Sequence, residues 1–274
     1  MAQPSTLFGP ASLLYALEAA AAQAGYGVSV ASLAALDRAS MEEAVNRHLD
    51  QQVGGIIVIV PVVSAAEAIR EVPADKPMVA IGGDRSEAIP SVGIDQVLGA
   101  VEATQALLDA GHRTVWHVSG PSDVFDSMDR IDGWRATLER AGAEVPPIIT
   151  GDWSAAGGYE AGKMLARIPD VTAIFAANDQ TALGILRALH EHGLRVPDDV
   201  SLIGFDDLPE SGFFIPPLTT VRQVFEEVGR RALEMLVTQM AGQREVLHEL
   251  VPPVFVPRES VAPPRDRRGV GASA

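Results

Sequence analysis

The sequence predicts an α/β chain of two doubly wound lobes with parallel sheets, facing each other across a ligand cleft. Three observations predict it. Short apolar strands alternate with helical patterns through short turns, the signature of parallel sheet. The strand segments outnumber what one compact sheet of 274 residues needs. Polar groups gather where apolar runs stop, most clearly in TAIFAANDQTALG (172–184). There the run Ala173 to Ala177 ends abruptly in Asn178-Asp179-Gln180, and a helix pattern follows at once through Ala182, Leu183, Ile185, Leu186 and Leu189. In open α/β sheets small ligands collect at that strand edge. Asp179 is expected to cap the helix through its carboxylate. Asn178, which both donates and accepts, is expected to face the ligand.

The elements follow in order. Residues 1–10 hold no strand. Leu13 to Ala24 is an alanine-rich helix ending at Gly25, and Gly27 to Ser32 alternates as a strand. Met41 to Gln52 is an amphipathic helix. Gly55 to Val60 is an unbroken apolar run and so a central strand, stopped by Pro61. Ala65 to Glu71 reads as a short helix, Met78 to Ile81 and Val92 to Ile94 as strands. Leu98 to Ala110 is a helix stopped by Gly111. Thr114 to Val118 is a strand, Arg130 to Ala141 a helix stopped by Gly142, Val145 to Thr150 extended, and Ala155 to Arg167 a helix. After the central stretch, Val200 to Phe205 is a strand ending in Asp206-Asp207. Thr219 to Arg222 is a connector, Glu226 to Met240 a helix, and Leu247 to Val256 an extended finish.

Composition excludes several classes. An apolar content of 47% supports a real core, and the absence of cysteine removes disulfides and thiolate chemistry. No run of 18 apolar residues and no charged start followed by an apolar stretch occurs, so a cytoplasmic protein without membrane span or secretory signal is expected. The net charge of −15 argues against nucleic-acid binding by bulk electrostatics, because phosphate contacts need clustered Lys and Arg. The basic cluster is Arg265, Arg267 and Arg268, in a Pro- and Gly-rich tail.

Eight phrases, in order, carry a family resemblance: LFGP (7–10), GGIIVIVP (54–61), AGHRTVWHVSGP (110–121), RIDGWRATLERAG (130–142), GDWSAAGGYEAG (151–162), AIFAANDQTALGILRALHEHGLRVPDDVSLIGFDDLP (173–209), PPLTTVRQ (216–223) and VPRESV (256–261). From Leu7 to Val261 the chain resembles the effector-binding core of LacI-type (lactose-repressor-like) transcriptional regulators. The resemblance implies a periplasmic-binding-protein-like fold of two lobes joined by three crossing strands. The lobes would be 1–94 with 223–242, and 95–222 with 243–262, leaving 263–274 as a disordered tail. The chain departs from the pattern at its start. The family's helix-turn-helix headpiece and hinge helix are not in it, and only MAQPST precedes LFGP where the family places its first core strand. The expectation is a first lobe lacking that strand.

A sugar-sized polyol needs dense, fixed hydrogen-bonding groups and an aromatic face for its C–H surfaces. Polar groups at strand ends or helix starts are Asp126, Arg130, Asn178, Gln180, Asp206 and Gln223, and Trp153 is a ready stacking platform. The resemblance assigns Arg130 as the arginine that grips a ligand hydroxyl or carboxylate, and Asp206 as the carboxylate accepting from two ligand hydroxyls. By the same resemblance Asn178 and Gln223 are further hydroxyl partners and Trp153 a pocket wall. Leu7, Phe8, Pro10 and Leu13 would form the first lobe's apolar lid, with Phe125 and Phe225 adding to it or packing in the core. Ile59 and the strand ending Ile81-Gly82-Gly83 offer no side-chain acceptor before Asp84, so the first lobe's polar share is expected to be thin.

A glycosidase reading of Asp206-Asp207 fails, because adjacent strand residues point to opposite sides. No phosphate loop, His-Glu-x-x-His helix or nucleophile elbow occurs, and the six histidines show no metal spacing. No catalytic residue, metal or cofactor is expected. The resulting expectation is a non-enzymatic, allosteric sensor core. It binds a small sugar or sugar derivative, forms a homodimer, and meets operator DNA only through a headpiece outside this chain. The alternative is a solute-binding protein that feeds a transporter.

Overall fold

The computed structural model describes residues 8–33, 38–60, 62, 76–82, 89–243 and 247–265. In chain order the elements are α1 (Phe8–Gln23), α2 (Arg38–Asp50), β1 (Ile56–Val60), β2 (Met78–Gly82), β3 (Ser91–Ile94), α3 (Gln96–Asp109), β4 (Trp116–Ser119), α4 (Phe125–Arg140), β5 (Ile149–Thr150), α5 (Ala155–Leu165), β6 (Ala173–Ala176), α6 (Asp179–Glu191), β7 (Ser201–Ile203), a 3-10 turn (Ser211–Phe213), β8 (Thr220–Arg222), α7 (Phe225–Met240), β9 (His248–Val251) and β10 (Val254–Val256). They form two compact units. The first holds residues up to Asp95 with Asp123–Asp126 and Val224–Pro252, and the second holds Gln96–Ser122, Ser127–Gln223 and the chain from Pro253.

The first unit is a sheet in the order β1-β2-β3-β9, every pair parallel. Its central strand β2 is apolar on both faces, as a parallel strand covered by helices must be. Successive side chains then serve opposite cores. Val79 and Ile81 pack with Leu13 and Leu17 of α1 and Val228, Ala232 and Leu236 of α7. Met78 and Ala80 pack with Met41 and Val45 of α2 and with Ile56 and Val60 of β1. Among the described residues β1 pairs with β2 alone and lies at the sheet edge, and its Ile59 is exposed.

The second unit repeats the plan with the order β5-β4-β6-β7, again all parallel. On β6, Ile174 and Ala176 face α5 and α6, while Ala173 and Phe175 face α3 and α4 through Ala103, Leu107, Trp134 and Leu138. Helices α5 and α6 approach closely because glycine lines their contact. A β-carbon on Gly184 would overlap the Ala155 carbonyl. Beyond β7 the chain adds β8 by parallel bridges at Ile203–Thr219 and Asp206–Arg222, and β10 pairs antiparallel with β8.

Several expectations change. Gly27–Ser32 is not a strand: Val28 and Val30 are exposed, and Ser29 Oγ donates to Gln51 Oε1 at 3.2 Å. An alternating pattern makes a strand only where a neighbour supplies ladder partners. The helix expected from Leu13 begins at Phe8, since Pro10 in its first turn lacks an N–H that would have had no partner there. Likewise the helix expected from Arg130 begins at Phe125, and the connector at 219–222 is the strand β8. Residues 247–256 split in two. β9 pairs with β3 of the first unit and β10 with β8 of the second, so residues 243–252 do not join the second lobe. Arg265 in the expected tail bonds Asp198 at 2.7 Å. Leu7, the helix at 65–71, Asp84 and residues 266–274 lie outside the described residues.

Candidate ligand-binding site

The junction of β6 and α6 divides the labour of two adjacent side chains. Asn178, not Asp179, is the N-cap: its Oδ1 accepts from the Thr181 N–H at 2.8 Å, and its Nδ2 donates to the Trp153 carbonyl at 3.1 Å. Asp179 is the first helical residue and is fully buried. Its carboxylate accepts from the Leu208 N–H (2.9 Å), Ser211 Oγ (2.5 Å) and Thr220 Oγ1 (2.6 Å). Burial pushes its pKa up to about 7, with the nearby Asp206 charge adding to the rise and the three donors opposing it. Asp179 thereby pins the chain that follows Asp206-Asp207. These two residues have φ values of +100° and +57°, a region L-residues rarely occupy, and held strain of this kind concentrates at functional sites.

Arg130, on the face of α4 turned to β6, is 2% exposed. Its Nε donates to Gln96 Oε1 at 2.9 Å, its Nη1 donates to the Ala177 carbonyl, and its Nη2 lies 3.7 Å from Asp206 Oδ1. The guanidinium carbon sits 3.7 Å from the Phe205 ring centroid and 5.3 Å from that of Trp153. Aromatic faces attract the cation and take up its planar surface. Gln96 Nε2 donates to Gln223 Oε1 at 2.8 Å, and Gln223 Nε2 donates to Asp206 Oδ1 at 2.6 Å. Asp207 takes other partners, Arg222 (2.6 Å) and Arg258 (2.5 Å). The two neighbouring acids therefore diverge, although by left-handed backbone turns rather than by strand alternation.

Of the candidate residues, the fold brings Arg130, Asp206, Gln223, Asn178 and Trp153 together in the second unit. Trp153 is half-buried with φ +68°, and a β-carbon on Gly120 would overlap its indole, so that glycine makes room for the ring. Gln180 stands half-buried in the first turn of α6. Asp126, in the first turn of α4, groups with the first unit. The apolar candidates among the described residues also belong to the first unit. Leu13 and Phe225 are core residues there, Phe8 meets Phe225 edge-on at 6.3 Å, Pro10 is exposed, and Phe125 packs with Met41 and Val60. Sequence reasoning missed Gln96 and Phe205. Gln96 offered one signal, a polar residue just past the apolar strand ending at Ile94. Among the described residues no group of His, Asp or Glu is arranged to hold a metal ion, and no helix is long and apolar enough to cross a membrane.

Known proteins share the fold and part of the sequence. Residues 104–261 match the family model of the periplasmic binding protein-like domain. The chain is 31% identical to the lactose operon repressor of Klebsiella pneumoniae over 260 residues, 94% of this chain and 73% of that protein. It superposes with a TM-score of 0.87 and 30% identity on the Lac repressor dimer bound to operator and the anti-inducer ONPF, covering 94% of this chain and 91% of that one. A complex of the transcriptional regulator CelR with cellobiose matches with a TM-score of 0.81 and 30% identity, over 91% of this chain and 78% of that one. By sequence, by fold and by the order of its motifs, the chain belongs to the LacI-type family of transcriptional regulators.

Proposed function

We propose that this chain is the sugar-sensing, effector-binding and dimerising core of a regulator whose operator affinity changes when the ligand binds. The observation that carries the reading is the buried Arg130–Asp206 pair framed by Trp153 and Phe205. A fixed cation and a fixed anion beside an aromatic wall suit a polyol, whose hydroxyls donate to the carboxylate and accept from the guanidinium while its C–H face covers the ring. Two relatives support the ligand class, one named for the lactose operon and one complexed with cellobiose. The Lac repressor dimer on its operator supports the homodimer and the DNA-linked output. Coupling between effector and operator must be reciprocal and typically amounts to ~1–3 kcal/mol. The role is binding and not catalysis, and its place is the cytoplasm, where operator DNA is.

A thermal-shift screen against D-ribose, lactose, cellobiose and common hexoses tests the reading. A sugar present at 100 times its Kd stabilises by about 2.7 kcal/mol, a shift of several degrees. The shift should vanish in Arg130→Ala and in Asp206→Ala, each first shown to melt cooperatively without ligand. A cooperative melt unmoved by every sugar sinks the proposal.

A further inference from the structure

Four side chains in the second unit form a closed circuit: Arg130 to Gln96, Gln96 to Gln223, Gln223 to Asp206, and Asp206 back toward Arg130. All four are buried. Arg130 can only donate and an ionised Asp206 only accept, so the two amides between them have one orientation that works. Flipping Gln96 would set its NH2 against the Arg130 Nε–H, and flipping Gln223 would set its carbonyl against the Asp206 carboxylate. Among the passages of the chain between its units, one runs from the first to the second between Asp95 and Gln96, one returns between Gln223 and Val224, and another crosses again between Pro252 and Pro253. The two glutamines are therefore the residues flanking the first two of these passages on the second-unit side.

We propose that Gln96 is a positioning residue that orients Arg130 and ties the ligand-contacting pair to two of the passages of the chain between its units, at 95–96 and 223–224. The proposal rests on the reading of Arg130 and Asp206 as ligand contacts. A ligand hydroxyl that draws on either group pulls on an amide whose partner cannot simply rotate away. Buried networks of this kind respond as a unit because every member is committed. The pull reaches the backbone at residue 96 through one glutamine and at residue 223 through the other.

The test uses the full chain and hydrogen exchange read on peptides spanning 92–98 and 220–226. Arg130→Lys perturbs the ligand end of the circuit. Gln96→Met keeps the length of the side chain and removes both bonds. Gln96→Glu, which retains an acceptor for Arg130 and loses the donor to Gln223, is a second background should the methionine variant fold poorly. Arg130→Lys should speed exchange in both peptides by about tenfold when Gln96 is present, the effect of losing one or two buried hydrogen bonds. It should add little in either Gln96 background. Equal effects of Arg130→Lys with and without Gln96, or no effect at 220–226, overturn the proposal. Calorimetric titration with D-ribose, lactose and cellobiose forms the second arm. Where one binds, Gln96→Met should weaken it about tenfold with Gln96→Glu between the two, and unchanged affinity overturns the proposal. Exchange coupling without any sugar binding supports the circuit and counts against the sugar reading, so the two failures are distinguishable.

Discussion

Two buried titratable side chains give the second unit opposite responses to pH. Asp179, held at about pKa 7 by burial, binds its proton more tightly folded than unfolded. The stability it contributes is complete below its unfolded value of 3.8 and is lost as pH rises through about 7. His117 stacks on Phe175 at 4.6 Å, donates from Nδ1 to the Phe175 carbonyl at 2.9 Å, and has a buried Nε2 without a hydrogen-bond partner. Burial pulls its pKa down to about 4, with the Arg130 charge adding to the fall. Its stability contribution is present above its unfolded value of 6.5 and is lost as pH falls through about 4. Urea denaturation from pH 4 to 8 separates the two. Asp179→Asn should lose less stability than the parent between pH 5 and 8, because the amide, which can donate to the Thr220 hydroxyl as the protonated carboxyl does, has no proton to give up. His117→Leu should hold its stability further into acid than the parent. A parallel pair of pH curves in either comparison refutes the corresponding assignment.

At the scale of elements, the short apolar runs were legible and the partners of the strands were not. Met78–Gly82 and Ala173–Ala176 each carry four apolar residues between turn signals, which is what a strand buried on both faces requires, and the equally apolar Ile56–Val60 forms an edge strand with Ile59 exposed. Gly27–Ser32 has an alternating pattern of comparable quality and forms no strand, because pairing depends on what lies alongside. β9 and β10 are two residues apart in sequence and serve different sheets. The glycines of α5 and α6 belong to this scale too. Gly184→Ala forces a methyl group against the Ala155 carbonyl and should cost about 1–3 kcal/mol, read as a lowered urea midpoint. An unchanged midpoint would mean that the two helices can part without loss.

At the scale of the whole chain, charge decides what the core does not do. With 36 acidic against 21 basic residues the chain carries −15, and many of its exposed arginines are paired, as Arg230 is with Glu227 and Glu234. Pairs of this kind contribute little to stability and leave few cations for phosphate. Residues 1–274 should therefore fail to shift duplex DNA of any sequence in a gel assay at 0.1 M salt. A retained band that weakens steeply as salt rises would show a cationic surface that the composition hides.

The amino-acid sequence by itself determined the α/β class, the parallel strands and the positions of Arg130, Asp206 and Trp153, because apolar runs and motif phrases are local and need no partner to be read. Tertiary structure alone decided which acceptor of the Asn178-Asp179 pair caps the helix, since either residue can do so in isolation. The Ser211 and Thr220 hydroxyls that claim Asp179 lie 32 and 41 residues away. It likewise decided the place of Gln96. Its partners stand 34 and 127 residues along the chain, and a polar side chain's role is set by which donors and acceptors the fold buries beside it.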